Sequence, residues 1–304
     1  MSQAGGPDGA DRPIVLAADA DQAAARALAA ALGAELGRAE TRRFPDGEDL
    51  VRVDCDVAGR RVLVVCSMHP VDQKALPLYF LAATARDLGA ARVVLVAPYL
   101  AYMRQDARFR AGEGVTARYF ARLLSGVFDG IVAIDPHLHR IGSLGEIYGV
   151  PALAVPSAPR IADWVRREVA RPAIIGPDAE SEQWVRAVAE PLGCPWHVLA
   201  KTRRGDRDVS ISPLEADLGD RTPVLVDDIV STGRTMIETV VQLGRAGVPA
   251  PICIGVHAVF APGAYEDLCA AGAARVVTCN TIPHTSNDID VGDLLADAVR
   301  RFST

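Results

Sequence analysis

The chain has 304 residues, with 32 basic and 38 acidic side chains and a formal net charge of −6. That balance excludes general attraction to nucleic acid or to an anionic membrane, so an anionic ligand must be held by local features. The length suits two domains of about 150 residues each. Half of the residues are apolar and only 5% are aromatic, a composition typical of helices packed on buried parallel strands.

The N-terminal segment and the cysteines bear on the compartment. Residues 1–12, MSQAGGPDGADR, lack the apolar core of a secretory signal, so we expect a disordered tail. No apolar run approaches the ~20 residues that a membrane span needs. The six cysteines show no CxxC spacing, which favours free thiols over disulfides or zinc. We therefore expect a cytoplasmic protein.

Short apolar runs alternate with amphipathic stretches along the chain. The apolar runs predict strands at Ile14–Ala18, Arg61–Cys66, Arg92–Ala97, Gly130–Asp135, Ala173–Gly176, Trp196–Ala200, Val224–Asp227, Ile252–His257 and Arg275–Cys279. The amphipathic stretches predict helices at Asp21–Leu32, Val71–Leu88, Thr116–Leu124, Ile161–Val169, Ser181–Leu192, Thr232–Arg245 and Ala264–Ala271. Repeated strand–helix–strand units predict mostly parallel sheets with helices on both faces.

This series runs twice, on either side of the proline-rich segment Val150–Pro159. We therefore predict an N-terminal domain at 13–155 and a C-terminal domain at 156–304. The last helix, Val291–Phe302, could pack on either domain. In open α/β sheets, ligands bind beyond the carboxyl ends of the strands, so the chemistry is expected in the loops that follow them.

The sharpest local motif is VLVDDIVSTGRT at 224–235. A buried strand ends in the acid pair Asp227 and Asp228, whose oxygens can accept bonds from ribose hydroxyls or bind Mg²⁺. A helix start rich in hydroxyls and glycine can hold a phosphate with its N–H groups. The alternative is an ordinary N-cap beside two solvated aspartates. The residues of this helix start are Ser231, Thr232, Gly233, Arg234 and Thr235.

Four further segments carry chemistry. RFPDGE, at 43–48, offers the ring of Phe44 for stacking on a purine, although Pro-Asp-Gly is also an excellent turn sequence. The RQD triplet, at 104–106, follows a predicted strand and has a guanidinium suited to phosphate. AIDPHLHRI and GPDAES place His137 and Asp178 after two other strands. KTRRGDRDV adds a basic segment with Lys201 and Arg203, which alone could be an exposed loop.

Together these motifs resemble the ribose-phosphate diphosphokinase family, most closely its archaeal-type members, over residues 13–300. The resemblance implies two phosphoribosyltransferase-like domains and transfer of the diphosphoryl group of ATP to ribose 5-phosphate. It also implies Mg²⁺ as cofactor and a homo-oligomer built from dimers with a shared ATP site. The roles that it implies are ATP binding by Phe44, Asp46, Glu48, Arg104, Gln105 and Asp106, metal binding by His137 and Asp178, catalysis by Lys201 and Arg203, and ribose 5-phosphate binding by Asp227, Asp228, Ser231, Thr232, Gly233, Arg234 and Thr235.

The sequence departs from many family members at three positions. Glu180 and Ser181 stand where many have Gly-Gly, and Ser231 stands where many bacterial and animal members have Asp. Two rival functions stay open: a phosphoribosyltransferase that consumes phosphoribosyl diphosphate, and a non-catalytic regulatory homologue. The first leaves RFPDGE and the RQD segment unexplained, and the second typically lacks the ATP and basic-loop motifs. A Walker-type kinase is excluded, because no GxxxxGK[ST] occurs.

Overall fold

The structure is a computed structural model that describes residues 12–17, 21–199, 201–204, 208–211 and 218–302, with 201–204 and 208–211 described by their backbone alone. The tail predicted at 1–12 lies outside these ranges, apart from Arg12. The chain divides into two compact units. Pro156–Val291 forms the second unit, and the rest of the described chain forms the first. In the described ranges, no helix is long and apolar enough to span a membrane.

The first unit is built on a six-stranded parallel sheet in the order β2-β1-β5-β6-β7-β8. A separate antiparallel hairpin, β3–β4, accompanies it. The elements of this unit are β1 Ile14–Ala17, α1 Gln22–Leu32, β2 Glu35–Leu36, β3 Ala39–Arg43, β4 Asp49–Val53, β5 Arg61–Val65, α2 Val71–Asp87, β6 Arg92–Ala97, α3 Thr116–Ser125, β7 Gly130–Ile134 and β8 Ala152–Val155.

The second unit repeats this arrangement with the order β10-β9-β13-β14-β15-β16, again parallel. A second antiparallel hairpin, β11–β12, lies outside the sheet. The elements of this unit are α4 Ala158–Glu168, β9 Pro172–Gly176, α5 Glu182–Leu192, β10 Trp196–Val198, β11 Lys201–Arg204, β12 Asp208–Ile211, β13 Thr222–Val230, α6 Arg234–Arg245, β14 Ile252–Ala258, α7 Ala264–Ala270, β15 Arg275–Cys279 and β16 Asn287–Ile289. The final helix, α8 Gly292–Arg301, comes after this unit in the chain.

Runs of Val, Ile and Leu produce both sheets, since strands covered on both faces need apolar side chains in either direction. In β5 and β6 every residue after the first is buried, and the core of the second sheet includes Ile174, Leu225 and Ile254. Helix α8 packs on α1 and β7, and therefore belongs to the first unit. The predicted fold class is confirmed: each unit is a parallel sheet flanked by helices.

Several element bounds differ from the sequence predictions. Strand β13 was expected to end at Asp227 but continues to Val230, because its ladder with β14 extends to the pair Val230↔Ala258. Segment Val150–Pro159, expected to be a connection, contains the edge strand β8. The two hairpins were not predicted as paired strands. In β3–β4 the residues are exposed or half-buried, so no apolar alternation marks the strands.

Candidate active site

The acid pair Asp227–Asp228 lies inside β13, near the carboxyl edge of the second sheet. Asp227 Oδ1 accepts the N–H of Asp228 at 3.0 Å, and Asp228 Oδ1 accepts the N–H of Ile229 at 2.7 Å. These bonds orient the two carboxylates through their own backbone. Asp227 is half-buried, whereas Asp228 is only 4% exposed.

Negative charge is concentrated around this pair. Burial, together with the neighbouring carboxylates of Asp228 and Asp178, raises the pKa of Asp227 well above its ordinary value. Repulsion between like charges of this kind is relieved by a proton or by a cation. The arrangement therefore suits a bound cation or several hydroxyl donors.

The third carboxylate, that of Asp178, lies in the loop that follows β9. Asp178 caps the short 3₁₀ helix Ala179–Ser181, and its Oδ1 accepts the N–H of Glu180 at 3.1 Å. Ser181 Oγ donates to the carbonyl oxygen of Asp178 at 2.6 Å, and the Ser181 side chain is buried. Ser181, one of the departures noted above, thus ties the Asp178 loop to the start of α5. Glu180 is exposed.

Helix α6 begins at Arg234, after the end of β13 and a short turn. Gly233 is its N-cap, with a φ of 66°, and makes no side-chain capping bond. A left-handed φ costs a residue with a Cβ about 1–2 kcal/mol, which explains glycine here. The first N–H groups of a helix have no intrahelical acceptor, so they and the helix dipole can bind an anion. The predicted phosphate-binding residues share this turn, with Gly233 buried, Ser231 and Thr235 half-buried, and Thr232 and Arg234 exposed.

The predicted catalytic residues, Lys201 and Arg203, lie on β11. Their backbone partners on β12 are Ile211 and Val209. The basic segment is therefore a hairpin, and it follows β10, next to β9 in the sheet.

In the first unit, the RFPDGE segment forms the tip of the β3–β4 hairpin. The N–H of Phe44 donates to the carbonyl of Glu48 at 2.7 Å, and the N–H of Glu48 donates to Asp46 Oδ1 at 3.1 Å. An ion pair between Arg43 and Asp49 closes the base of the tip at 3.0 Å. Phe44 is half-buried, with the Arg42 guanidinium 4.7 Å from its ring centroid, whereas Asp46 and Glu48 are exposed. The tip is both a turn and an accessible cluster of acidic groups.

The RQD triplet follows β6. Arg104 is exposed and Gln105 is half-buried, so both are accessible to a ligand. Asp106 differs, because its side chain is fully buried and its carboxylate binds Arg140. Its geometry fits a structural tie rather than the ATP contact that the family resemblance implies.

His137 lies three residues after the end of β7 and is half-buried, with its ring centroid 6.4 Å from that of His139. The loops of Arg104 and His137 each contain a non-glycine residue of positive φ: 60° at Tyr102 and 29° at Asp135. Such conformations cost of order 1–3 kcal/mol and concentrate at functional sites.

Comparison with known proteins covers both units. A family model described as the N-terminal domain of ribose phosphate pyrophosphokinase matches residues 14–127, and a phosphoribosyl transferase domain model matches residues 154–293. A ribose-phosphate pyrophosphokinase of Methanopyrus kandleri is 35% identical over 95% of this chain and 99% of its own length. One of Halobacterium salinarum is 34% identical over 94% of this chain and 100% of its own.

The chain belongs to the ribose-phosphate pyrophosphokinase family. The resemblance predicted from the motifs, including that to archaeal members, is therefore confirmed. A solved phosphoribosylpyrophosphate synthetase from Mycobacterium smegmatis has the same fold, with a TM-score of 0.84 and 24% identity over 96% of this chain and 99% of that one.

The protein side chains of the candidate site supply only some of the ligands that a divalent cation needs. Within the described ranges, no three His, Cys, Asp or Glu side chains form a ready set of ligands. The carboxylates of Asp178 and Asp227 nevertheless lie close enough to raise a pKa. Mg²⁺ is commonly held by one or two carboxylates together with substrate phosphates. The donor chemistry fits that ion.

Sequence reasoning missed Arg140, which holds Asp106, and the positive φ of Tyr102 and Asp135. Arg140 is the last residue of PHLHR. The one feature of the sequence that could have indicated its role is a basic side chain in a loop after a strand. Its partner is 34 residues away in the sequence, so only the fold reveals the pair.

Proposed function

We propose that the protein makes phosphoribosyl diphosphate. The anomeric hydroxyl of ribose 5-phosphate attacks the β-phosphorus of ATP, the bond to the α-phosphate oxygen breaks, and AMP leaves. Membership of the family and the shared fold support this reaction. The observation that carries the proposal is the acid pair of β13, followed along the chain by the start of α6, whose N-cap Gly233 makes no side-chain capping bond.

In the second unit, that geometry supports binding of ribose 5-phosphate. The 5-phosphate is held by the N–H groups at the start of α6 and by the hydroxyls of Ser231, Thr232 and Thr235. Asp227 and Asp228 accept hydrogen bonds from the ribose hydroxyls. This anchors the sugar at both ends and holds its anomeric hydroxyl for attack. Positioning of reactants can contribute up to about 7–11 kcal/mol.

In the first unit, accessible groups support binding of ATP. Phe44 stacks on the adenine, while Asp46 and Glu48 at the hairpin tip accept hydrogen bonds from its amino group. Arg104 binds the phosphates through charge-assisted bonds and Gln105 adds neutral ones. These contacts separate an enzyme that makes phosphoribosyl diphosphate from a transferase that consumes it.

His137 is proposed to hold Mg²⁺ with the ATP phosphates, and Asp178 is proposed to hold Mg²⁺ beside the acid pair. When bound, the ion neutralises phosphate charge and polarises the phosphorus under attack. The raised pKa of Asp227 supports a cation near the acid pair. Lys201 and Arg203 place further positive charge where negative charge moves in the transition state. A protein of net charge −6 needs such local compensation.

Two further features belong to the proposal. The exposed tip at Asp46–Glu48 is suited to reach the ATP site of a neighbouring subunit, in a homo-oligomer built from dimers. The six cysteines are free, and burial raises the pKa of Cys66 and Cys253 to about 12. Such inert thiols support a place in the reducing cytoplasm.

The test is an assay of purified protein for AMP and phosphoribosyl diphosphate from ATP and ribose 5-phosphate. We expect both products in equal amounts, loss of activity with a chelator and its return with Mg²⁺. Full activity without metal contradicts the metal assignment. A transferase would instead join phosphoribosyl diphosphate to a nucleobase, and a regulatory homologue would turn over neither substrate pair.

A further inference from the structure

We infer that Arg140 and Asp106 form a clamp between two loops of the first unit, which positions Arg104, Gln105 and His137 for the nucleotide. The inference rests on the proposed function and extends it to two residues that do not themselves bind the phosphates. The clamp is defined as the side chains of Arg140 and Asp106.

The two carboxylate oxygens of Asp106 are both bound by Arg140. The backbone N–H of Arg140 donates to Oδ2 at 3.0 Å, and its Nη1 donates to Oδ1 at 3.2 Å. The side chain of Asp106 is 0% exposed, whereas that of Arg140 is 45% exposed. The Arg140 guanidinium also lies over the ring of Phe109, 5.0 Å from its centroid. Arg140 is thus held by two residues of the loop that follows β6.

Because the Asp106 carboxylate is buried, breaking its contact with Arg140 is costly. A buried carboxylate that loses its donors keeps the full desolvation cost, about 1–3 kcal/mol or more for a charge, so the loops favour the one arrangement that satisfies both oxygens. Asp106 directly follows Arg104 and Gln105, and Arg140 comes three residues after His137. The clamp therefore acts within a few residues of Arg104, Gln105 and His137, the proposed phosphate and metal contacts of the first unit.

The backbone gives a reason for a clamp at this place. Both loops contain a left-handed residue, Tyr102 within the loop after β6 and Asp135 directly after β7. Such strain persists only where surrounding contacts over-determine the conformation. The loop of Asp106 has a second constraint, since Glu113 Oε2 accepts the N–H groups of Phe109 and Arg110 at 3.0 Å each. The clamp joins this ordered loop to that of His137.

The test measures binding of a non-hydrolysable ATP analogue with Mg²⁺ by calorimetry, alongside steady-state kinetics. Asp106→Asn and Arg140→Met should each weaken analogue binding about tenfold, equivalent to about 1.4 kcal/mol. KM for ribose 5-phosphate should stay within about twofold, because that site lies on other loops. Since the Asp106 side chain is fully buried, its effect cannot come from a lost nucleotide contact.

The double variant distinguishes a clamp from two separate roles. It should bind the analogue no more weakly than the worse single variant, because both changes break one connection. Arg140→Lys should recover part of the affinity. All measurements are made well below the melting temperature of the least stable variant, so every sample is folded. Additive losses in the double variant, or unchanged analogue binding with only a lowered melting temperature, overturn the inference.

Arg118→Met is the matched control. Arg118 is an exposed arginine on α3, so its removal changes the net charge equally. It should leave analogue binding unchanged; a loss equal to that of Arg140→Met would mean a general field of charge and would overturn the clamp. If the wild type binds the analogue but forms no AMP, the proposed function is refuted and the clamp is not. The binding measurements on the variants still test the clamp in that case.

Discussion

Asp227 shows how a single carboxylate can carry an electrostatic cost in the ligand-free protein. Its carboxylate is partly desolvated and faces the like charges of Asp228 and Asp178. Asp227→Asn keeps the oxygen that accepts the Asp228 N–H but removes the charge. We expect the ligand-free melting temperature to rise by about 2–4 °C, the shift that about 1 kcal/mol gives in a domain of this size. Activity should be lost. Calorimetry and the AMP assay check both results.

Asp220 provides the control for this prediction. It belongs to the same unit and is exposed, in an ion pair with Arg171. Asp220→Asn removes the same charge, yet exposed pairs contribute only about 0–1 kcal/mol. Its melting temperature should therefore not rise. An equal rise in both variants would mean that net charge, rather than the local cluster, limits stability.

Lys201 is the residue at which a catalytic role and a solvated surface position predict the most different effects of substitution. If the ammonium acts on the transition state, Lys201→Ala should lower kcat and kcat/KM together, by on the order of 10²–10³. Ground-state binding of ATP should change little, because the proposed contacts of ATP with Arg104 and the metal are unaltered. A solvated lysine would give almost no change in rate or stability, within about 0.5 kcal/mol. Steady-state kinetics with calorimetric ATP binding distinguish the two.

Arg207→Ala is the matched change for Lys201→Ala. Arg207 belongs to the same basic segment in the sequence and lies outside the described residues. The change removes one positive charge and leaves Lys201 and Arg203 intact, so we expect only a small loss of rate. Equal losses would indicate diffuse electrostatic steering, in which case added salt should slow the wild type as well.

Among the elements, the start of α6 is the most sharply constrained. Gly233 has a φ of 66°, and a Cβ built there would meet only ordinary contacts, the nearest at 3.6 Å. Gly233→Ala should therefore cost about 1–2 kcal/mol of backbone strain without a clash. We expect KM for ribose 5-phosphate to rise several-fold, because the phosphate-binding turn relaxes. Thermal melting and kinetics measure the two effects.

Gly244 lies in the same helix, and a Cβ built there would meet no other group within 4 Å. Gly244→Ala should stabilise the protein, by up to about 1 kcal/mol, and leave KM unchanged. Opposite shifts in melting temperature for the two glycines are therefore expected. If Gly233→Ala also stabilises and leaves KM unchanged, the turn does not depend on the left-handed conformation.

The elements that were predicted from the sequence are those that residues close together in the sequence determine. Buried strands such as β5 and β6 are continuous apolar runs, and the helices have apolar residues at helical spacing. Strand β13 was ended too early because carboxylates are rare in strands, whereas its continuation depends on pairing with β14. The hairpin β3–β4 was missed because its strands have no buried face.

The same distinction between local and long-range features applies to the candidate site. Asp227, Asp228 and the turn at Gly233 belong to one short segment of the sequence, so the motif alone places them near one another. The burial of Asp106 could not be predicted, because it depends on an arginine from a different loop. The strain at Tyr102 is likewise invisible in the sequence, since any residue type can be forced to positive φ by its surroundings.

On the scale of the whole molecule, the two units share one sheet order, with β1, β5, β6 and β7 corresponding to β9, β13, β14 and β15. The proposed functions are nevertheless divided: ATP contacts lie in the first unit, and the acid pair and phosphate-binding turn lie in the second. The equivalent loops of the two units carry different side chains. Under the proposed function, the hairpin tip of one subunit completes the ATP site of its neighbour, so activity would depend on assembly.

That dependence yields the last prediction, which tests the shared ATP site. If Phe44 reaches the site of a neighbouring subunit, Phe44→Ala removes a nucleotide contact from that neighbour, while Lys201→Ala removes a catalytic group from its own subunit. Each homo-oligomer should be nearly inactive. After subunits exchange, some mixed sites combine an intact Phe44 with an intact Lys201. At equal amounts and random mixing, half of the neighbour pairs are mixed, and each hybrid pair regains one intact site, so about a quarter of wild-type activity should return.

Exchange must be shown independently, for example by energy transfer between two labelled preparations. The control mixes Phe44→Ala with the double variant Phe44→Ala/Lys201→Ala, where no site can have an intact ring, and should recover nothing. Proven exchange without recovery would mean that each subunit stacks adenine on its own Phe44. The hairpin tip would then complete the site of its own chain, and assembly would be unnecessary for catalysis.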